Sequence, residues 1–123
     1  MSNEELSKVG LKTFINIMHQ WDVEQNKQSV ILGLDIQEVL KESALGNEVI
    51  LPDASLIRIS HIIRIYKSLR MIFASENQAN AWIHKPNASF DGNSALKVIL
   101  GGKISDLEKV SGYLQGQVDI DLG

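Results

Sequence analysis

The chain of 123 residues contains no cysteine. Disulfide frameworks, thiol nucleophiles and Cys-ligated zinc sites are therefore excluded. A cysteine-free chain suits a reducing cytosol, and a cytoplasmic location is expected. Proline is nearly absent: only Pro52 and Pro86 occur, so little in the sequence interrupts long helices. A basic excess is also missing. Twelve Lys and Arg face fifteen Asp and Glu, a net charge of −3. Non-specific attraction to nucleic acid by the whole chain is thereby excluded, and any DNA contact must come from a local patch or from assembly. No apolar run reaches the ~20 residues of a membrane span. The greasiest stretch, Leu56 to Phe73, is broken by Arg58, Arg64, Lys67 and Arg70. Met1 is followed by Ser2-Asn3-Glu4-Glu5, so no secretory signal is expected here.

Chemistry-bearing motifs are equally sparse. There is no Gly-x-Ser-x-Gly elbow and no phosphate-binding glycine loop. His19, His61 and His84 lie far apart without metal-ligand spacing, so no metal or cofactor is expected. The acidic residues read as helix caps and solvated faces. Together these absences point away from an enzyme.

What is present is helical periodicity. Hydrophobic residues make up 44% of the chain, enough for a packed core. Leu6, Val9, Phe14, Ile15, Ile17, Met18 and Trp21 recur at helical spacing, with Ser2 and Glu5 as a capping pair. A second helix is predicted from Glu24 to Leu32, stopped by Gly33. A third opens at Asp35 and runs to about Ser43. Two short helices split by a glycine turn have the outline of a helix-turn-helix. A connector follows from Gly46 to Asp53. The strongest helix then carries Ile59, Ile62, Ile63, Tyr66, Leu69 and Phe73, with Ser55 or Asp53 as its cap. Leu56, Ile57, Ile65 and Ile72 widen its apolar surface, as in a helix central to the fold or in an oligomer contact. Ser75 with Gln78, Ser94, and Ser105 with Glu108 mark three further helix starts. After Gly116 no helical pattern is read, because Val118, Asp119, Ile120, Asp121 and Leu122 alternate apolar and acidic. The expected class is all-α. An N-terminal helix-turn-helix unit covers residues 1–46, and a C-terminal helical unit covers residues 54–123.

The C-terminal unit carries a specific order of residues. Arg64-Ile65-Tyr66-Lys67-Ser68-Leu69 and Ile72-Phe73 lead to Ala79-Asn80-Ala81-Trp82-Ile83 and Lys85-Pro86-Asn87. Phe90-Asp91-Gly92-Asn93-Ser94-Ala95-Leu96, Gly101-Gly102 and Tyr113-Leu114 follow. This stretch resembles the toxin-binding region of the Xre/MbcA/ParS antitoxins. Trp21 and Val30-Ile31-Leu32-Gly33-Leu34 resemble the Xre-like helix-turn-helix that precedes it. The resemblance implies an antitoxin that binds and blocks a RES-domain toxin, one that consumes NAD or transfers ADP-ribose from it, and represses their shared operon. A homodimer through the C-terminal unit is expected. The alternatives are a stand-alone helix-turn-helix regulator and a plain helical scaffold.

Site residues follow from these readings. Gln37 suits adenine and Lys41 suits phosphate on the third helix. Asp35, Glu38 and Glu42 oppose them, and residues 1–46 hold four Lys against seven Asp or Glu. Tyr113 and the tail residues Gln117, Val118, Asp119, Ile120, Asp121 and Leu122 are the candidate toxin contacts. The tail is read either as a loose terminus or as a segment that orders on the toxin. Trp82, Pro86, Asn87, Phe90, Gly92, Gly101 and Gly102 form the structural motif, with the two aromatics as core anchors. The basic residues of the central helix read as a solvated edge, or as contacts to a partner or DNA.

Overall fold

The computed structural model describes residues 2–122, excepting the Leu122 side chain. Short polar side chains start most of its helices by accepting otherwise orphaned backbone N–H groups. Ser2 accepts from Glu5 at 3.2 Å and opens α1 (Asn3–Gln20). Glu24 precedes α2 (Gln25–Leu32) without a side-chain bond. Asp35 accepts from Gln37 and Glu38 before α3 (Ile36–Ala44). Ser75 opens α5 (Glu76–Trp82) and Ser94 opens α6 (Ala95–Ile99) in the same way.

Two helix starts differ from the sequence expectation. In α4 (Asp53–Ile72) neither Asp53 nor Ser55 is the cap. Pro52 precedes the helix, and Ser55 is buried with its hydroxyl donating to the Leu32 carbonyl at 2.9 Å. In α7 (Ile104–Leu122) Ser105 does not cap either. The Asp106 carboxylate accepts the Lys103 N–H at 3.0 Å, the return arm of a capping box. A hydroxyl can satisfy a helix end or another backbone group, and packing chooses between them.

The tail is the third correction. It continues α7 to Leu122. Leu107, Val110, Leu114 and Val118 recur at helical spacing and are all buried, Val118 to 4% exposure. Gln115 donates to Asp119 at 3.0 Å, spanning Gly116 along the helix. The short apolar–acidic alternation concealed this longer period.

Helix α4 is the hub. It packs against α1 and α7, and also meets α2 and α5. Ile59, Ile62, Ile65 and Leu69 are buried, each contributing about 2 kcal/mol from burial. This explains why so much of its circumference is apolar. Gly10 faces Ile59, and Gln20 accepts from Tyr66 and Arg70, so α1 and α4 run in the same sense. Arg58 reaches Gly102 and His61 bonds Ser111, so α7 follows that sense too. One core runs through both halves of the chain, including Phe14, Trp21, Ile31 and Ile36 with Ile83, Phe90 and Val110.

The basic residues of α4 divide. Arg64 and Lys67 are exposed. Arg58 and Arg70 are not a solvated edge. Arg58 donates to the carbonyls of Ile31 at 3.3 Å and Gly102 at 2.8 Å. Arg70 donates to Gln20 at 2.8 Å, pairs with Glu76 at 2.7 Å and lies over the Tyr66 ring at 4.6 Å.

Gly33 ends α2 in the left-handed region at φ 76°, where a Cβ would lie 3.0 Å from the Arg58 Nε. Gly46 has φ 81° and open space around it. Gly46→Ala is expected to cost only the conformational term, about 1 kcal/mol. Gly33→Ala is expected to cost clearly more, because it also displaces Arg58. Urea denaturation of the two variants measures the difference.

Candidate functional site

The turn between α5 and α6 is built by backbone bonds around Asn87. Its N–H donates to the Asn93 carbonyl at 3.1 Å, and its own carbonyl accepts from Phe90 and Gly92, both at 3.0 Å. The Asn87 side chain accepts the Ser89 N–H at 2.8 Å and starts a short 3-10 turn, Ala88–Phe90. Asp91 and Gly92 both take positive φ, 55° and 83°, which reverses the chain. Pro86 and Ser94 pair across the reversal. The Leu96 N–H donates to the Ile83 carbonyl at 3.0 Å and locks α6 to the end of α5.

This corner drives Phe90 into the core, to 2% exposure. Trp82 stacks on Tyr113 with centroids 6.2 Å apart at 11°. Phe90 makes a T-shaped contact with each, its centroid 6.3 Å from Trp82 and 5.2 Å from Tyr113. Offset and edge-on arrangements of this kind add about 1 kcal/mol per pair beyond burial. The Lys109 ammonium lies 5.9 Å from the Phe90 centroid. Gly101 and Gly102 carry the chain into α7. A Cβ on Gly101 would run into the Asp106 carboxylate and lie 3.1 Å from the Val98 carbonyl, while Gly102 has φ 84°.

The tail residues do not form a linear arm, because α7 distributes them around a helix. Tyr113, Gln117 and Ile120 fall on one face at spacings of four and three. Tyr113 and Gln117 are half-buried, and Ile120 is 72% exposed. Val118 is a core residue and leaves the set of candidate surface contacts, contrary to the sequence expectation. Asp119 and Asp121 are exposed, with Asp119 bonded to Gln115. The side chain of Leu122 lies outside the described residues. The sequence reading missed the junction of Tyr113 with Trp82. Its signal was the helical register 107–110–114–118, which places 113, 117 and 120 together on a flank of the buried face.

At the other end, Gln37 and Lys41 are exposed one turn apart on α3. Gln37 donates to Gln25 of α2 at 3.3 Å. The carboxylate of Asp35 is engaged as the helix cap, and Glu42 accepts from Asn47 at 2.8 Å. The three histidines are dispersed: His61 bonds Ser111 and His84 donates to the Trp21 carbonyl. Among the described residues, no group of three or more His, Cys, Asp or Glu is placed to hold a metal ion. No helix there is long and apolar enough to cross a membrane.

The helical core carries an aromatic cluster against its last helix. Residues 68–116 match the family described as the antitoxin Xre/MbcA/ParS C-terminal toxin-binding domain. The match begins in α4, encloses the Trp82–Phe90–Tyr113 cluster and ends inside α7. The chain is also 36% identical over 108 residues to uncharacterized protein y4oB of Sinorhizobium fredii (strain NBRC 101917 / NGR234). That alignment covers 87% of this chain and 82% of the relative. No solved structure matches. The chain belongs to the Xre/MbcA/ParS antitoxin family, whose C-terminal toxin-binding domain it carries over residues 68–116.

The stack on Trp82 has a direct test. Tyr113 makes no hydrogen bond through its hydroxyl among the described residues, so Tyr113→Phe is expected to leave stability within about 0.5 kcal/mol. Tyr113→Ala is expected to cost about 2 kcal/mol by opening the cluster. Chemical denaturation of both variants checks the contrast.

Proposed function

We propose that this chain neutralises a RES-type toxin in the cytoplasm, one that consumes NAD or transfers ADP-ribose from it, and represses the operon they share. The observation that carries the toxin contact is the Tyr113–Gln117–Ile120 face. It continues directly from the aromatic cluster of the matched toxin-binding stretch and leaves a large apolar side chain, Ile120, in solvent. Asp119 and Asp121 flank Ile120. Carboxylates in that position suit a partner site whose basic residues hold the phosphates of NAD. Residues 54–123 would serve toxin binding and homodimerisation, the latter favoured by Ile57 and Met71 exposed on α4. Residues 1–46 would serve DNA through Gln37 and Lys41.

The test is co-expression with the neighbouring open reading frame. Wild-type chain is expected to restore growth and to co-purify with the product, and cellular NAD is expected to fall when that product is expressed alone. Unchanged NAD would remove the RES assignment. Ile120→Glu should keep the far-ultraviolet helical signal, since the side chain is exposed, yet reduce protection at least about tenfold through the loss of one buried apolar anchor. Full protection by that variant would remove this face from the toxin contact.

For the DNA reading, a mobility shift of the operon's promoter is expected to weaken steeply with salt. Lys41→Ala should reduce the salt slope by about one. No shift by the chain, alone or with toxin, would sink the repression claim.

A further inference from the structure

Helix α3 is only loosely embedded. Of its nine residues only Ile36 is buried. Val39 and Leu40 are half-buried, and Leu45 at its end is 65% exposed. It packs chiefly on α2. Between α3 and α1 lie two adjoining cavities of about 400 and 550 Å³. Ile15 of α1 and Leu40 of α3 line both. Leu11, Met18, Val23 and Val49 add apolar wall, while charged residues such as Lys8, Lys12, Asp22 and Glu48 line the same space. The Ile36 N–H donates to the Ser29 hydroxyl at 3.0 Å and ties the start of α3 to α2, but beyond Ile36 few buried contacts resist movement of the helix toward the Leu40 side of this space.

Both flanks of α3 hold left-handed glycines, Gly33 before it and Gly46 after it. They differ in their surroundings. Nothing lies within 4 Å of a Cβ placed on Gly46. Gly33 is gripped: the Nε, Cδ and Cζ of Arg58 would lie 3.0 to 3.3 Å from its Cβ. The same guanidinium donates to the Ile31 carbonyl in the last turn of α2 and to the Gly102 carbonyl. A Cβ on Gly102 would in turn sit 3.5 Å from Val30. One side chain thus joins three stretches of backbone: the end of α2, the pivot before α3, and the Gly101-Gly102 turn inside the stretch that matches the toxin-binding domain.

We propose that Arg58 is a latch. It holds the Gly33 pivot against the Gly101-Gly102 turn and so keeps α3 standing off α1. When the fork is released, α3 swings about Gly33 and Gly46 and samples closure onto the groove. A partner that displaces the Gly101-Gly102 turn changes the freedom of α3 through this guanidinium, while the Ser55 bond to the Leu32 carbonyl keeps the end of α2 on α4. That last consequence rests on the antitoxin reading, whereas the latch is a property of the free chain and is tested on it.

The experiment is hydrogen–deuterium exchange of the full chain, read by mass spectrometry. Arg58→Lys keeps the charge but loses the fork. It is expected to speed exchange across residues 36–44 by about tenfold, the value of a lost hydrogen bond or two, with α1, α4 and α7 unchanged. The exposed control Arg64→Lys is expected to change nothing. In the native Arg58 background, Leu40→Phe fills the groove and is expected to slow exchange of α3 several-fold. The latch is overturned if Arg58→Lys leaves α3 exchange unchanged, or if it raises exchange equally in every helix, as a plain strut of the core would. It is overturned as well if Arg58→Lys does not fold and Leu40→Phe fails to slow α3.

Discussion

The fold depends on α4 being buried along two sides at once. Ile59, Ile62, Ile65 and Leu69 lie between α1 and α7, and neither of those helices could cover its own apolar stripe without that shared partner. The wide greasy circumference of α4, unsuited to a surface helix, is what this position requires. It also brings the beginning and the end of the chain into one core, so Phe14 and Trp21 belong to the same cluster as Phe90 and Val110.

Apolar burial is non-directional, and the polar contacts decide how the connections run. Ser7 accepts the Leu51 N–H at 2.9 Å and pins the connector to α1. Ser55 and Arg58 donate to the last carbonyls of α2, groups that a helix end otherwise leaves unpaired. Arg70 gathers Gln20, Tyr66 and Glu76 where α1, α4 and α5 meet. Each of these bonds is made by a side chain that could have been a solvated residue or a helix cap, and all but the Arg70 contacts to Tyr66 and Glu76 are fixed by an element distant in sequence.

The aromatic cluster beside α7 inherits its rigidity from the same principle. Asn87, Asp91 and Gly92 force one tight reversal, the reversal seats Phe90, and Phe90 holds Trp82 and Tyr113 in register. A face backed by stacked rings loses little conformational freedom when a partner lands on it. Membership of the toxin-binding antitoxins agrees with such a surface. Helix α3 is different in character, since it has few buried residues and its acidic neighbours are engaged in capping and local bonds.

Much of this was determined by the sequence alone. The helices of α1 to α6 follow from apolar spacing, from Ser2, Asp35, Ser75 and Ser94 as caps, and from Gly33 as a stop, because those signals act within one turn. The family resemblance was legible in the order from Trp82 to Gly102, where the turn chemistry is local. Tertiary structure decided the rest. Six alternating residues after Gly116 suit a loose arm as well as a helix; in the fold α7 continues with Val118 buried and Gln115 bonded to Asp119, which regroups Tyr113, Gln117 and Ile120 on one face. Arg58 looked like a surface charge because its acceptors, Ile31 and Gly102, stand 27 and 44 residues away. Local periodicity carries no information about partners at that distance, and packing around α4 brings them together.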